Sequence, residues 1–253
     1  MRLFGKNAII TGASSGIGKA AALRFAREGA NLLLLDVAAE ALTQTTAEAR
    51  AHGVRAESLD CDVSSETQVA AAVARCISAL GSVDILVNVA GIQVTKLLEN
   101  TSFDEYQRMM NINLGGTFLT IKHVLPHMKS QRSGAIVNVA SELAFVGYPE
   151  LSLYTATKGA MVSMTRSLSL EAIRYGVRAN CICPGATDTP IFWEGETDPA
   201  RRAELLERVA VEKPIGRLIT VEEVASGILF LASDEASGVV CACLVMDGGF
   251  TAQ

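Results

Sequence analysis

A chain of 253 residues is within reach of one large α/β domain, and nearly half of its residues are apolar, ample for a buried core. The net charge of −5 and the lack of any basic cluster argue against nucleic acid as a partner. No uninterrupted apolar stretch of about 20 residues occurs, so no membrane span is expected. The opening Met1-Arg-Leu-Phe-Gly-Lys6 runs straight into an apolar strand pattern, which leaves no room for a signal peptide and points to a cytoplasmic protein.

Strand patterns fall at 7–11, 31–36, 54–60, 83–89, 134–140, 177–183 and 242–246, and helical patterns at 17–28, 38–52, 65–79, 103–130, 152–175 and 221–232. Runs of Val, Ile and Leu without polar alternation imply a parallel sheet covered on both faces. The alternation of strand and helix predicts a Rossmann-like, doubly wound α/β fold of about seven strands, with ligands at the strands' carboxyl ends. No linker or repeat divides residues 1–253, so a single domain is expected.

The first strand runs into Thr11-Gly-Ala-Ser-Ser-Gly-Ile-Gly18 and then an amphipathic stretch. Strand, glycine turn and helix in that order suit a diphosphate: glycine lets backbone approach it closely, and the helix N-terminus offers free N–H groups. Gly12, Ser14, Ser15, Gly16, Ile17 and Gly18 are therefore the first cofactor contacts, a ligand-free βα loop being the alternative. Asp36 ends the second strand, eighteen residues beyond Gly18. A carboxylate there can accept from both adenosine ribose hydroxyls and repels a 2′-phosphate, and neither position 15 nor 37 is cationic. NAD is expected over NADP, unless Asp36 merely caps the next helix. Asp62 with Val63, after the third strand, stands where an adenine amino group could be met. Asn88, Ala90 and Gly91 close the fourth strand and border the same ligand.

Asn113 lies in Asn111-Ile-Asn-Leu-Gly-Gly116, a polar and glycine-rich stretch that would weaken a plain helix. Ser141 ends the fifth strand at the rim where ligands sit. Tyr154 and Lys158, four apart, share one helix face, so the ammonium can lie near the phenol and lower its pKa toward neutrality. The interval from Gly185 to Arg217 breaks the strand–helix rhythm with three prolines and a short helical patch near Arg201 to Val211. Segments this long after a strand are binding loops or lids, so 185–217 is the expected substrate loop. Trp193 and Phe192 in it either contact substrate or anchor the loop. Gln93, Glu142, Leu143, Tyr148 and Trp193 are the expected pocket lining; Glu142 binds a substrate hydroxyl or pairs with a lysine or arginine. Six cysteines include Cys181, Cys183, Cys241 and Cys243 in strand patterns. Cys-x-Cys within strands is poor zinc geometry, so buried free thiols and no metal are expected.

These motifs resemble the short-chain dehydrogenase/reductase family in its compact single-domain form, from residue 4 to the C-terminus. Thr11 to Gly18 matches the family's Thr-Gly-x-x-x-Gly-x-Gly. Tyr154-x-x-x-Lys158 follows Ser141 by the usual thirteen positions, Asn113 stands at the family's asparagine, and Pro184-Gly185 and Asp247-Gly-Gly249 also match. One departure is Asn88-Val89-Ala90-Gly91 where the family has Asn-Asn-Ala-Gly, which puts a sheet-stabilising contact in doubt.

The resemblance implies a tetrad. Tyr154 exchanges a proton with the alcohol or carbonyl as hydride moves to or from the nicotinamide. Lys158 lowers the phenol's pKa and holds the nicotinamide ribose, Ser141 hydrogen-bonds the reacting oxygen, and Asn113 positions a relay water. Pro184, Gly185, Thr187 and Thr189 meet the carboxamide and diphosphate end of the cofactor. Family analogy also implies a homotetramer. The expected activity is NAD-dependent hydride transfer with a secondary alcohol or ketone of a small molecule. Its substrate stays open among sugar or polyol, steroid, dihydrodiol and hydroxy acid. A 3-oxoacyl-thioester (acyl carrier protein) reductase and a catalytically silent NAD-binding regulator are the rivals; Asp36 argues against the first and the intact tetrad against the second.

Overall fold

A computed structural model describes residues 1–253. Seven strands form one sheet in the order β3-β2-β1-β4-β5-β6-β7, with every pairing parallel. They are β1 Asn7–Thr11, β2 Asn31–Asp36, β3 Ala56–Asp60, β4 Ile85–Asn88, β5 Gly134–Val139, β6 Val177–Pro184 and β7 Cys243–Met246. The helices are α1 Gly16–Arg27, α2 Ala39–Arg50, α3 Glu66–Leu80, α4 Phe103–Met109, α5 Gly116–Gln131, α6 Ser152–Ala172, α7 Pro190–Trp193, α8 Pro199–Glu212 and α9 Val221–Ala232.

The uninterrupted leucines of β2 show why the strands lack polar alternation. Leu32 and Leu34 join a 27-residue cluster with α1, α2 and α9 on one face. Leu33 and Leu35 join an 18-residue cluster with α3, α5 and α6 on the other. A strand buried on both sides needs an apolar residue at each position. Each fully buried leucine contributes roughly 1.5–3 kcal/mol relative to exposure, so the sheet is a stiff platform for the loops at its carboxyl edge. The strand order reverses between β1 and β4, and the crevice opened there is where such sheets take ligands.

One long helical pattern does not survive as a plain helix. The stretch read as 103–130 begins as α4 under a capping box in which Ser102 and Glu105 exchange hydrogen bonds. It then widens into a π-turn over Met110–Gly115 before resuming as α5. A π-turn fits an extra residue into the helix and is frequent at functional positions; here it carries Asn113.

Candidate active site

The glycine turn between β1 and α1 is shaped by close approach. Gly12 and Gly16 have φ of 67° and 50°, a left-handed backbone that side chains resist. A Cβ on Gly12 would stand 2.9 Å from the Ala90 amide, and one on Gly18 would overlap the Gly12 carbonyl. Thr11 stitches the turn to the end of β4, its Oγ1 accepting from the Val89 and Ala90 amides at 3.0 and 3.1 Å. Ser15, at the N-cap of α1, makes no side-chain cap, and the first turn holds no acid. The helix's leading N–H groups thus face the cleft free of side-chain partners, and the cradle fits a diphosphate.

A cleft of about 890 Å³ runs from this turn across the carboxyl edge of the sheet. It is lined at one end by Gly12, Ser14, Ser15, Gly16, Ile17, Gly18, Asp36, Asp62 and Val63, and further along by Ala90 and Gly91. The Asp36 carboxylate is oriented by two backbone donors, Ser14 N–H at 3.0 Å and Ala38 N–H at 3.1 Å. Asp62 Oδ1 accepts from the Ser64 amide and hydroxyl at 2.9 and 2.7 Å. Ser141, Tyr154, Lys158, Pro184, Gly185, Thr187 and Thr189 line the other half. Thr189 also caps α7 through its hydroxyl, which accepts from the Phe192 amide at 3.3 Å.

Two expected site residues turn away from the cleft. Asn88 accepts from the Thr120 hydroxyl at 2.7 Å and donates to Asn138 at 2.9 Å, and Asn138 donates on to Thr165 at 2.8 Å. This buried chain of amides and hydroxyls ties α5, β4, β5 and α6 together, so Asn88 is a core residue of the sheet and its side chain does not border the cofactor cleft. Asn113, fully buried, accepts from the Ile92 amide at 2.8 Å and donates to the Ile92 carbonyl at 2.9 Å and the Thr157 hydroxyl at 3.2 Å. It pins the segment after β4 beside α6.

The phenol and ammonium of α6 do converge, with Lys158 Nζ 5.5 Å from the Tyr154 ring centroid. The ammonium donates to the Val139 carbonyl at 2.8 Å, which moors Lys158 to the end of β5. Burial pushes Tyr154 up to about 12, with the Ser141 hydroxyl pulling it down and Glu142 raising it further. Burial pulls Lys158 down to about 8. Desolvation of the hydroxyl is the largest cause of the rise at Tyr154, and the expected lowering by Lys158, whose Nζ donates to the Val139 carbonyl, does not offset it among these residues alone. Ser141 Oγ accepts from the Leu143 amide at 3.1 Å and caps the single 3₁₀ turn Glu142–Ala144.

The expected pocket residues all lie along this half of the cleft: Gln93, Glu142, Leu143, Tyr148 and Trp193. Their polar atoms are largely engaged. Gln93 Nε2 donates to Glu194 at 2.9 Å, the Tyr148 hydroxyl donates to Glu212 at 3.1 Å, and Trp193 Nε1 donates to Asp188 at 2.6 Å. Trp193 also meets Phe192 edge-on, with centroids 4.9 Å apart, and carries Arg202 over its ring at 4.6 Å. Its ring lines the cleft and anchors the loop at once. Glu142 is 4 % exposed, and its Oε1 accepts from Lys213 Nζ at 2.5 Å, which leaves neither oxygen open to the cleft. Burial raises its pKa to about 7, with Lys213 opposing. Lys213, Glu194, Arg208 and the apolar side chains of Leu205 and Val209 also line the cleft, and no sequence motif marks them. Their only signal was membership of the 185–217 interval. Cys181, Cys183 and Cys243 gather in a small cluster with Ala140, Met161 and Val162.

A parallel sheet with a glycine cradle at its switch point, and a Ser, Tyr and Lys set at the far end of one cleft, define a nicotinamide-linked oxidoreductase. A family profile described as enoyl-(acyl carrier protein) reductase matches residues 12–251. Cis-4-hydroxycyclohexanecarboxylate dehydrogenase of Sinomonas cyclohexanicum is 42% identical over 246 residues, 97% of this chain and 96% of that protein. The crystal structure of levodione reductase superposes with a TM-score of 0.94 at 36% identity, covering 99% of both chains. A gluconate 5-dehydrogenase from Burkholderia cenocepacia J2315, solved with NADP and tartrate, gives 0.92 at 32% identity over 100% of this chain and 97% of that one. The chain belongs to the short-chain dehydrogenase/reductase family. None of its helices is long and apolar enough to cross a membrane.

Proposed function

We propose that the protein is an NAD-linked dehydrogenase of secondary alcohols in small molecules, able to run in reverse as a ketone reductase. The observation that carries this reading is the convergence of Ser141, Tyr154 and Lys158 on one end of a cleft whose other end is the glycine cradle. A bound nicotinamide supplies the hydride acceptor or donor. Tyr154 Oη takes the alcohol proton, or returns it to the carbonyl, and Ser141 Oγ holds the reacting oxygen. A phenol pushed up to about 12 stays protonated near neutral pH and cannot take the alcohol proton, so alcohol oxidation needs it lowered by positive charge. Lys158, whose Nζ stands 5.5 Å from the Tyr154 ring centroid, would supply that charge only together with the bound cofactor and substrate oxygen, and would hold the nicotinamide ribose. Asn113 braces Gly91 and Ile92 against Lys158, the wall along which a relay water would stand; a Cβ on Gly91 would lie 3.3 Å from Asn113 Oδ1 and 3.8 Å from Lys158 Nζ.

Gly12 to Gly18 would cradle the diphosphate, Asp36 the adenosine ribose, and Asp62 and Val63 the adenine. Ala90, Gly91, Pro184, Gly185, Thr187 and Thr189 would meet the nicotinamide half. Residues 1–253 act as one catalytic domain, 185–217 forms the substrate loop, and the working form is a cytoplasmic homotetramer. NAD over NADP rests on Asp36, whose carboxylate is aimed by Ser14 and Ala38 and flanked by Ser15 and Val37 rather than by a cation.

Titration of the purified protein with NADH and with NADPH, followed by quenching of its one tryptophan, tests this reading. Hydrogen bonds to an ionised group are worth about 1.5–3 kcal/mol. NADH should therefore bind tighter than NADPH, and Asp36→Ala should weaken NADH by roughly 10- to 100-fold. Preference for NADPH would overturn the Asp36 argument and favour a 3-oxoacyl-thioester reductase. Binding of neither would remove the oxidoreductase reading. Cofactor binding without turnover of any alcohol would leave a silent NAD-binding protein.

A further inference from the structure

Lys213 ends α8, the last helix of the substrate loop, and Glu142 begins the turn capped by Ser141. They lie 71 residues apart in sequence, yet their side chains are only 6 % and 6 % exposed and meet at 2.5 Å. The ammonium also stands over the Phe250 ring, 3.2 Å from its centroid, so the C-terminal segment closes the node. Beyond it the chain is zipped to that segment, with the Ile215 amide donating to the Gly248 carbonyl at 3.0 Å. The other oxygen of Glu142 is buried without a partner, close enough to Gly185 that a Cβ there would approach it to 2.7 Å.

Such a pair is a poor way to gain stability. Two desolvated charges with one orphaned acceptor are often bettered by apolar residues of similar volume. What the pair does supply is one fixed distance between the turn that aims Ser141 and the turn at Lys213–Gly216, the exit hinge by which the 185–217 segment leaves the cleft. We infer that Lys213 and Glu142 are positioning residues: their ion pair holds the Ser141 turn and the exit hinge of the substrate loop in one register. Ser141 then meets the substrate oxygen only with the loop correctly seated. This inference rests on the dehydrogenase reading for the role of Ser141, but the pairing itself does not.

Two measurements separate those layers. Hydrogen exchange needs no substrate. The amides of Ala144 and Phe145 in one turn, and of Lys213, Ile215 and Gly216 in the other, are hydrogen-bonded and so report on each side of the node. Lys213→Met should speed exchange at both turns together by about tenfold or more. Loosening of the hinge alone, with the Ser141 turn unaffected, overturns the inference. The second measurement is steady-state kinetics with NAD on cyclohexanol and on cis-4-hydroxycyclohexanecarboxylate, using whichever the wild type oxidises faster. Lys213→Met should lower kcat about tenfold, since ångström-scale misplacement costs one to two orders of magnitude. NADH affinity should stay within about twofold, and Lys213→Arg should recover most of kcat. The double variant Glu142→Met/Lys213→Met removes both charges and guards against a single variant that fails to fold; it should be folded yet as slow as Lys213→Met. Wild-type kcat in the double variant would show that only an unpaired charge mattered and would overturn the inference. A wild type that binds NADH but oxidises neither alcohol counts against the dehydrogenase reading, and exchange then decides the pair.

Discussion

Lys158→Met should make the protein inactive and, at neutral pH, change its stability in a way that vanishes in alkali. Lys158 is 4 % exposed, and burial lowers its pKa from 10.5 to about 8. At pH 7 both folded and unfolded chains carry the charge, and the folded chain bears the cost of desolvating it. A shift of this size corresponds to about 3 kcal/mol. Between about pH 8 and 10.5 the unfolded chain binds more protons than the folded one, so wild-type stability rises with pH there. Methionine has nothing to titrate. The stability of Lys158→Met relative to wild type should therefore fall by about 2.5 kcal/mol between pH 7 and pH 10. Loss of the hydrogen bond to the Val139 carbonyl shifts both ends of that comparison equally and leaves the slope intact. Thermal or urea denaturation of both proteins at the two pH values measures it, and the remaining titrating groups cancel in the difference. A stability difference that does not move with pH would refute the argument that burial sets the ammonium's pKa. It would also undercut the picture of Lys158 as a charge held ready beside Tyr154.

Two further outcomes follow from the same geometry. Gly18→Ala places a methyl group on the Gly12 carbonyl, so calorimetry should show NADH affinity reduced by at least about tenfold together with a lower Tm; unchanged binding would mean that the turn does not cradle the diphosphate. Glu142 has its pKa raised to about 7 from 4.5, so the folded chain holds the extra proton between those values and wild-type stability falls as pH rises through them. Glu142→Gln should flatten that part of the stability profile, and an unchanged pH dependence would show that the carboxyl is not desolvated in the way its burial implies.

Much of the site was legible because it is local. The glycine turn is written within eight residues, and the positive φ at Gly12 and Gly16 is the conformation their lack of a Cβ permits. Tyr154 and Lys158 were readable from helical periodicity alone. The sheet was readable because continuous Val, Ile and Leu leave a strand no polar face, although β3 and β4 each begin two residues later than the apolar runs suggested. Asn88 misled because an asparagine at a strand end looks the same whether it faces a ligand or, as here, joins Asn138 in the core.

By itself the sequence determined the parallel α/β sheet, the glycine turn after β1 and the candidate set of Ser141, Tyr154 and Lys158, all carried by patterns shorter than a helix or two. Tertiary structure alone decided that Asn113 sits on a π-turn and grips Ile92, since a helix that gains a residue keeps its hydrophobic period on either side. It alone decided that Glu142 answers to Lys213. Glu142 could have paired with any of the chain's 22 lysines and arginines. Which one reaches it is set by how α8 folds back over the carboxyl edge of the sheet, and no local pattern encodes that distance.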